Sequence, residues 1–220
     1  PHKKVRLVDL PGGGWGDFRF SPDDGTIAAQ QYRTRNDSDV YLIDAKTGAR
    51  EKILPKAGDV AAGYTGFAWS PDQQRLFLTT NPGGEFSELA VYERRSKALT
   101  VLSRHIRWDI EHFALSADGL RLMAVANANG RDEMHVFDAT TSKELERPAL
   151  AVGALGGGRW HETRRNILAF SLNSPQSPGD VYTWDADTGK TERWTTAAAA
   201  AGVHPDTFAS PELVQINSFD

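Results

Sequence analysis

The sequence predicts an all-β protein in which about four four-stranded sheets follow one another along the chain. One phrase begins at residues 18, 67, 113 and 158 and reads FRFSPD, FAWSPD, FALSAD and, in a degenerate form, GRWHET. A second phrase begins at residues 39, 88, 133 and 180 and reads DVYLID, ELAVYE, EMHVFD and DVYTWD. Two phrases that recur in register define a structural repeat of roughly 45 residues.

Each repeat is predicted to contain four short strands, and the third repeat shows them most clearly. Alternating apolar residues over Leu120–Ala124 indicate a strand with one buried side. Tight hairpin loops are predicted at Asp44–Gly48 and Asp185–Gly189, because glycine allows a positive φ and aspartate caps the turn. The strands of the third repeat are predicted at Phe113–Ser116, Leu120–Ala126, Met134–Asp138 and, more weakly, Lys143–Arg147.

Four-stranded repeats of this length are typical of the blades of a β-propeller. Val5–Leu10 is predicted to be the outer strand of a preceding blade, and the alanine run at 197–201 to form a helical turn or two outside the repeats. The chain is therefore divided into the end of a preceding blade with a linker (1–17), four blades (18–60, 61–108, 109–153 and 154–196) and a linker toward a following domain (197–220).

Composition excludes several classes of protein. The 220 residues include 25 basic and 29 acidic side chains, a net charge of -4, which argues against a dedicated nucleic-acid binder. The chain has no cysteine, which excludes disulfides, thiolate metal sites and cysteine nucleophiles but does not fix the cellular compartment. No apolar stretch is long enough to predict a membrane span.

The sequence predicts no catalytic or cofactor-binding residue in this chain. A serine nucleophile elbow requires Gly-x-Ser-x-Gly, and that pentapeptide does not occur. The glycine-rich segments at 12–16 and 156–158 do not match a phosphate-binding loop, because neither opens a helix after a strand and no Lys-Ser/Thr follows. They are predicted to be inter-blade loops.

No metal ligand is predicted either. His105 and His112 are too widely spaced for a zinc pair on one element, so the histidines are expected to be structural or solvent-facing. The acidic pairs Asp23-Asp24 and Asp132-Glu133 lack the alternating oxygen ligands of a calcium loop and are interpreted as turn acceptors.

Three longer segments resemble the prolyl oligopeptidase family of serine peptidases. They are Trp108–Gly119, Ser171–Trp184 and the tail Pro211–Asp220, which is similar to the phrase where that family crosses from propeller to catalytic domain. The resemblance implies part of a seven-bladed propeller that caps an α/β-hydrolase domain and admits peptides but not folded proteins. The catalytic Ser, Asp and His of the family are expected beyond Asp220, so none is assigned to this sequence.

Five residues are candidates for contact with the hydrolase domain or a peptide. A core or inter-blade position is favoured for Trp108 over one facing the central channel, by the usual burial of large aromatic residues. The others are charged groups expected near one propeller face, although such segments are more often simply solvated. The candidates are Arg104, Arg107, Trp108, Glu111 and Arg131.

Two functions remain open on the sequence. The leading hypothesis is a non-catalytic propeller portion of a prolyl-oligopeptidase-like peptidase, with the hydrolase domain and peptides as partners. The alternative is a stand-alone propeller similar to TolB-type scaffolds, which binds a protein. A propeller lyase or carbohydrate enzyme is disfavoured, because no acid–base or metal cluster is found.

Exposed blade flanks also predict self-association, whereas no nucleic-acid, membrane or cofactor partner is predicted.

Overall fold

The computed structural model describes residues 7–197, 204–209, 211–212, 214 and 216. These residues form sixteen β-strands and one short 3-10 turn at Pro205–Thr207, arranged as four four-stranded antiparallel sheets. The all-β fold predicted from the repeats is confirmed. No helix in the described part of the chain is long and apolar enough to cross a membrane.

The first two sheets are built from consecutive segments of the chain, and each pairs its strands in sequence order. The first sheet contains β1 (Trp15–Phe20), β2 (Thr26–Thr34), β3 (Asp37–Asp44) and β4 (Arg50–Leu54). The second sheet contains β5 (Tyr64–Trp69), β6 (Arg75–Thr80), β7 (Glu88–Glu93) and β8 (Ala98–Val101).

The third and fourth sheets repeat the same order. The third sheet contains β9 (Ile110–Leu115), β10 (Arg121–Ala128), β11 (Arg131–Asp138) and β12 (Glu144–Leu145). The fourth sheet contains β13 (Ala154–Trp160), β14 (Ile167–Ser174), β15 (Ser177–Asp185) and β16 (Thr191–Arg193). First strands of consecutive sheets contact one another, so the sheets converge along their first strands.

The first repeated phrase specifies the turn between the first and second strands. In the third sheet, the Ser116 hydroxyl donates to Asp118 Oδ1 at 2.6 Å and accepts the Arg121 N–H at 2.9 Å. The first and second sheets repeat both bonds through Ser21 and Ser70. In the degenerate fourth copy, His161 Nδ1 accepts from the backbone N–H groups two and three residues later. An imidazole thus replaces the hydroxyl as the turn acceptor.

Three hydrophobic clusters hold consecutive sheets together. Aromatic residues from the repeated phrases lie within them, as the repetition predicts. Trp69 donates its indole N–H to the Arg19 carbonyl of the first sheet at 3.1 Å. Trp160 donates in the same way to the Ala114 carbonyl of the third sheet at 3.0 Å. Apolar burial holds all three junctions, and the indole bonds add to it between the first and second sheets and between the third and fourth.

The predicted strand at Val5–Leu10 is not formed over the residues that the structure describes. Residues 7–10 have no strand conformation, and residues 5 and 6 lie outside the described part. Leu7, Val8 and Leu10 instead pack against the first sheet, where Ile27 is one of the buried residues beneath them. Arg50 donates to the Asp9 carbonyl at 3.0 Å and fixes the segment across that side of the sheet.

The glycine segment at 156–158 lies inside β13, so its prediction as an inter-blade loop is wrong. Gly157 has φ +60°, and the register of the strand pair shifts between Gly156 and Arg159, which marks a β-bulge. A Cβ atom on Gly158 would lie 1.8 Å from Met123 Cε of the third sheet. Glycine is required there because the neighbouring sheet fills the space. The other segment, 12–16, is only partly the predicted loop: the glycines at 12–14 precede β1, whereas Trp15 and Gly16 lie inside it.

In the third repeat, the second and third strands are longer than predicted at the hairpin that joins them, so that β10 ends at Ala128 and β11 begins at Arg131. Their hairpin closes at Asn129 and Gly130, which have φ of 54° and 77°. The Gly130 N–H binds Asn127 Oδ1 at 3.1 Å. Leu120 lies in the preceding turn and not in β10. The helical turn or two predicted for the alanine run at 197–201 lies outside the described residues from position 198 onward.

Candidate functional site at the upper face

We define the upper face as the end of the sheets at which the first and third strands begin. It is formed by the hairpins between second and third strands and by the connections from each fourth strand to the next sheet. The three connections span residues 55–63, 102–109 and 146–153. The first-to-second and third-to-fourth turns lie at the opposite end, because neighbouring strands are antiparallel.

All five residues predicted to contact a domain or peptide belong to the upper face, and all five are exposed. Arg104, Arg107 and Trp108 are in the connection between β8 and β9, Glu111 is near the start of β9, and Arg131 begins β11. The expected buried position of Trp108 is wrong. Its side chain is 36% exposed and its ring lies beside Phe86, with ring centroids 6.3 Å apart, because the connection runs over the surface.

Asp109 links three sheets at this face. One carboxylate oxygen accepts from Arg35 Nη2 of the first sheet at 3.1 Å. The other accepts the Ser87 N–H beside the second sheet at 2.6 Å, and Asp109 itself precedes the third sheet. Nearby, the Asn81 side chain joins Asn36 and the Gly63 N–H, both at 2.7 Å. These polar bonds hold the hairpin of the first sheet over the second.

The Arg35–Asp109 pair forms part of the wall of a groove of about 770 Å³. Its walls include Gln30, Tyr64 and the predicted residue Glu111. Burial raises the pKa of Tyr64 to about 12, with the nearby charge of Asp59 acting in the same direction, so the phenol stays neutral. Arg131 lies apart from Glu111, in a smaller hollow of about 290 Å³. The predicted residues therefore share one face but not one pocket.

Each sheet carries an ion pair at the upper face that the sequence analysis missed. The first residue of the second phrase is acidic in every repeat, and a basic residue follows 13 to 16 positions later. That regular spacing is the signal that would have found the pairs. They are Asp39–Lys52 at 2.8 Å, Glu88–Arg104 at 3.5 Å, Glu133–Arg147 at 3.7 Å and Asp180–Arg193.

The first and fourth of these carboxylates are the most strongly held. Burial acts to raise the pKa of Asp39, but hydrogen bonds from Arg33 and Lys52 outweigh it and lower that pKa. The Ser177 hydroxyl, with further donors from Thr195 and Arg193, lowers the pKa of Asp180 to about 2. These carboxylates stay ionised and paired at neutral pH, which suits a docking surface more than acid–base catalysis.

A second cavity, of about 590 Å³, is lined by the first strands of the first three sheets. We call it the axial cavity. Phe67, Trp69 and Phe113 line it together with His112. Asp17 crosses from the first sheet to accept from the Thr65 hydroxyl at 3.0 Å and the Gly66 N–H at 2.5 Å. The lining is mostly apolar and suits passage or packing of a chain more than chemistry.

Two histidines meet one glutamate beside the third sheet. Glu144 contacts His105 Nε2 and His135 Nδ1, both at 2.7 Å, through its two oxygens. Burial acts to raise the pKa of Glu144, but the bonds to both histidines lower it. Across the described residues, no three His, Asp or Glu side chains are placed to hold a metal ion.

Comparison with solved structures identifies the architecture. A prolyl endopeptidase matches with a TM-score of 0.70 at 18% identity over 86% of this chain. TolB from Acinetobacter baumannii matches with a TM-score of 0.61 at 18% identity over 84% of it. Prolyl oligopeptidase B from Galerina marginata matches with a TM-score of 0.71 at 14% identity over 88% of it. The four sheets are β-propeller blades.

The chain spans only part of the proteins whose fold it shares. It covers 27% of the prolyl endopeptidase, 28% of prolyl oligopeptidase B and 44% of the TolB chain. No protein-family model and no curated protein matches the sequence. The likeness therefore establishes a propeller fold common to prolyl oligopeptidases and TolB, and the activity is a matter for proposal.

Proposed function

We propose that these blades are the propeller portion of a prolyl-oligopeptidase-like serine peptidase, in which the upper face docks the hydrolase domain and the axial cavity restricts peptide access. The observation that carries the proposal is the common position of the predicted residues and of the chain leaving the fourth blade. β16 ends at the upper face, where all five predicted residues lie. A domain joined after the fourth blade would meet that face first.

The course of the tail supports this placement. Gln176, in the upper hairpin of the fourth blade, donates its side-chain N–H to the Phe208 carbonyl at 3.0 Å. Residues 204–209 therefore pass beside the upper face and not the lower turns. The rest of the predicted linker, 197–220, includes positions outside the described residues. We also propose the division into blades at 18–60, 61–108, 109–153 and 154–196, followed by that linker, although the first strand of the first blade already begins at Trp15.

The proposed gating rests on the groove and the Asp109 contacts. A peptide that enters from the upper face would pass the Arg35–Asp109 pair before it reaches the apolar axial cavity. Blade packing fixes the width of this route, so a folded protein would be excluded by size. The parent protein would then hydrolyse peptide bonds through an acyl-enzyme, with catalytic residues supplied by another domain.

The test uses the natural polypeptide that contains this segment. We expect Arg107→Glu with Trp108→Ala to loosen docking, so that cleavage of long unfolded chains rises relative to cleavage of short peptides. The matched control is Arg95→Glu, an equal charge change on an exposed residue of a lower turn. A polypeptide without a hydrolase domain would refute the proposal, and so would an upper-face variant that behaves like the control.

The second candidate function is a stand-alone protein-binding propeller. It is favoured by the TolB matches, which include a putative TolB from Agrobacterium tumefaciens at a TM-score of 0.62 and 14% identity over 84% of this chain. The paired charges of the upper face would suit a protein partner. This function predicts no peptide hydrolysis by the natural polypeptide and loss of a protein complex in the same upper-face variant.

A further inference from the structure

Glu144 joins two histidines from different parts of the chain. It begins β12, the outermost strand of the third blade, and His135 lies in the neighbouring strand β11. His105 belongs to the connection between the second and third blades, residues 102–109. The two Glu144 oxygens lie 2.7 Å from His135 Nδ1 and 2.7 Å from His105 Nε2. His135 is buried, whereas His105 reaches the carboxylate from the surface. We call these three residues the Glu144 cluster.

The cluster ties the middle of the connection to the third blade. Near its two ends the connection is bonded to the second blade instead. The Ser103 hydroxyl accepts an N–H of β7 at 2.8 Å, and Asp109 accepts the N–H just before β7 at 2.6 Å. Among the hydrogen bonds and ion pairs of the described residues, the bond between His105 and Glu144 is the one side-chain link from this connection to the third blade.

The same connection carries most of the predicted contact residues of the upper face. Three of them lie within three positions of His105, namely Arg104, Arg107 and Trp108. All three are exposed. The placement of these side chains therefore depends on whether the His105 end of the cluster is held.

The other two junctions between blades are joined by charges that do not change near neutral pH. Lys97 of the second blade pairs with Glu51 of the first at 2.7 Å, and Arg121 of the third blade pairs with Asp187 of the fourth. Ammonium and guanidinium groups stay protonated well above neutral pH, whereas free imidazole takes up its proton at about pH 6.5. The junction between the second and third blades is therefore the one whose ion pairs respond to pH in the neutral range, among the described residues.

Protonation strengthens both bonds of the cluster. Burial acts to raise the pKa of Glu144, but the bonds to both histidines lower it, so the carboxylate stays ionised. A neutral imidazole can donate one N–H to this carboxylate, while an imidazolium makes a charge-assisted bond of roughly twice the strength. The link is therefore strongest at mildly acidic pH, and that stability is lost as the pH rises and the imidazoles lose their protons.

Charged groups on the elements around the cluster are held by other contacts or lie in solvent. The held groups are Arg104 with Glu88, Asp109 with Arg35, Glu133 with Arg131 and Arg147, and Arg75, which lies opposite Glu93 and bonds the Ala139 carbonyl. The solvent-exposed groups are Arg107, Glu111, Lys143 and Glu146, whose charges are screened by salt. The charge of the cluster is therefore set mainly by its own three members.

We propose that the Glu144 cluster is a pH-dependent link between the second and third blades, which holds the connection at 102–109 in place when its imidazoles are protonated and loosens it when they are neutral. The contacts that support this inference lie within the four blades, so it does not rest on the proposed function. It adds regulation to the upper face, because mildly acidic pH would hold three of the predicted contact residues in one arrangement, whatever partner binds there.

Hydrogen exchange read by mass spectrometry tests the link in the natural polypeptide that contains this segment. Exchange is measured at about pH 5.5 and about pH 7.5, on either side of the imidazole range, and each rate is divided by that of the unfolded peptide at the same pH. The Ile106 N–H, which bonds the Ser103 carbonyl at 2.8 Å, reports on the connection. We expect its protection to be about threefold or more higher at the lower pH, because charge-assisted bonds then hold His105.

The connection between the first and second blades is the internal control. Residues 55–63 contain no histidine, and the Asp59 N–H bonds the Lys56 carbonyl at 3.1 Å in a similar turn. Its protection should be equal at the two pH values.

Variants assign the effect to the cluster. Glu144→Gln removes the charge and keeps the size of the side chain, so we expect the connection to be weakly protected at both pH values. Glu146→Gln makes the same change at an exposed position two residues later and should keep the wild-type response. His105→Gln removes the exposed imidazole and tests the same bond if Glu144→Gln folds poorly.

The outcomes are independent of peptidase activity. Equal protection of the wild-type connection at both pH values, or higher protection at the higher pH, would overturn the inference. An undiminished pH response in Glu144→Gln or His105→Gln would overturn it as well. A polypeptide without a hydrolase domain that shows the expected response would support the inference and refute the proposed function.

Discussion

Individual carboxylates determine how the stability of this protein responds to acid. Asp180 is buried and is bound by Ser177, Thr195, Arg193 and the Ala197 amide. These donors lower its pKa from 3.8 to about 2. A lowered folded-state pKa contributes stability that is present above the unfolded value and lost as the pH falls through the folded value. The loss therefore falls between about pH 4 and pH 2.

We expect Asp180→Asn to be less stable than the wild type at pH 7, and the difference to shrink as the pH falls from 4 to 2. The amide cannot form the charge-assisted bonds that Arg193 makes with the carboxylate. Urea midpoints measured across this pH range test the prediction. Glu146→Gln is the control, because Glu146 is exposed. A stability difference that does not change with pH would contradict it.

At the scale of the element, the turn between the first and second strands depends on its serine. Ser70 is fully buried and accepts the Arg75 N–H at 3.0 Å while donating to Asp72 at 2.5 Å. We expect Ser70→Ala to lower the free energy of unfolding by about 1–3 kcal/mol, because the Arg75 N–H loses its side-chain acceptor. Chemical denaturation measures the change.

Ser96→Ala provides the comparison for this turn. Ser96 is exposed and accepts only a longer bond, from the Ala98 N–H at 3.3 Å. We expect that variant to stay within about 0.5 kcal/mol of the wild type, as surface changes usually do. If the two variants lost equal stability, the repeated phrase would not owe its recurrence to the turn.

The strands were predictable because their signals are local. The repeated phrases placed serine and aspartate at the first turn of the first three sheets, and alternating apolar residues marked β10. The bulge at 156–158 was not predictable from local sequence. Glycine is needed at position 158 because Met123 of the third blade fills the space that a side chain would take. The packing of residues 7–10 was missed for a similar reason. An apolar segment looks alike whether it pairs with a sheet edge or lies across its side.

The sequence predicted that the candidate residues lie on one face of the blades, but not which of them lie close together. Each predicted residue precedes or begins a strand, so topology brings all five to the same end of the blades. Their grouping depends on distant partners, such as Arg35 with Asp109, which lie 74 positions apart. The ion pairs at Asp39 and Asp180 were visible as a spacing, but only the fold shows that the acidic and basic residues meet.

For the whole molecule, stability is divided among interfaces between consecutive blades. The principal contacts between sheets join neighbours, as in β1 with β5, β5 with β9 and β9 with β13. In such an array, each blade depends most on the blade beside it. A substitution at one interface should therefore weaken the adjoining blades first and leave distant blades protected.

Leu168→Ala tests this division. Leu168 is fully buried in the cluster between the third and fourth blades. We expect a loss of about 2–5 kcal/mol, the usual cost of removing a buried leucine side chain. Hydrogen exchange should accelerate across β13–β16, while the amides of β2 and β3 keep their protection. Uniform acceleration over all four blades would show that the chain unfolds as one cooperative unit.

The bulges of the first strands carry a consequence for molecular evolution. Asp17, Gly66 and Gly157 adopt φ of 50°, 71° and 60° where these strands shift register. At Gly66, an added Cβ would lie 3.1 Å from Phe113 of the next blade. A side chain at position 66 would press on the next blade, so the backbone of this strand is matched to the packing of its neighbour. Substitutions confined to the upper hairpins leave these bulges untouched, so the loops of that face can vary in sequence while the first strands keep their course.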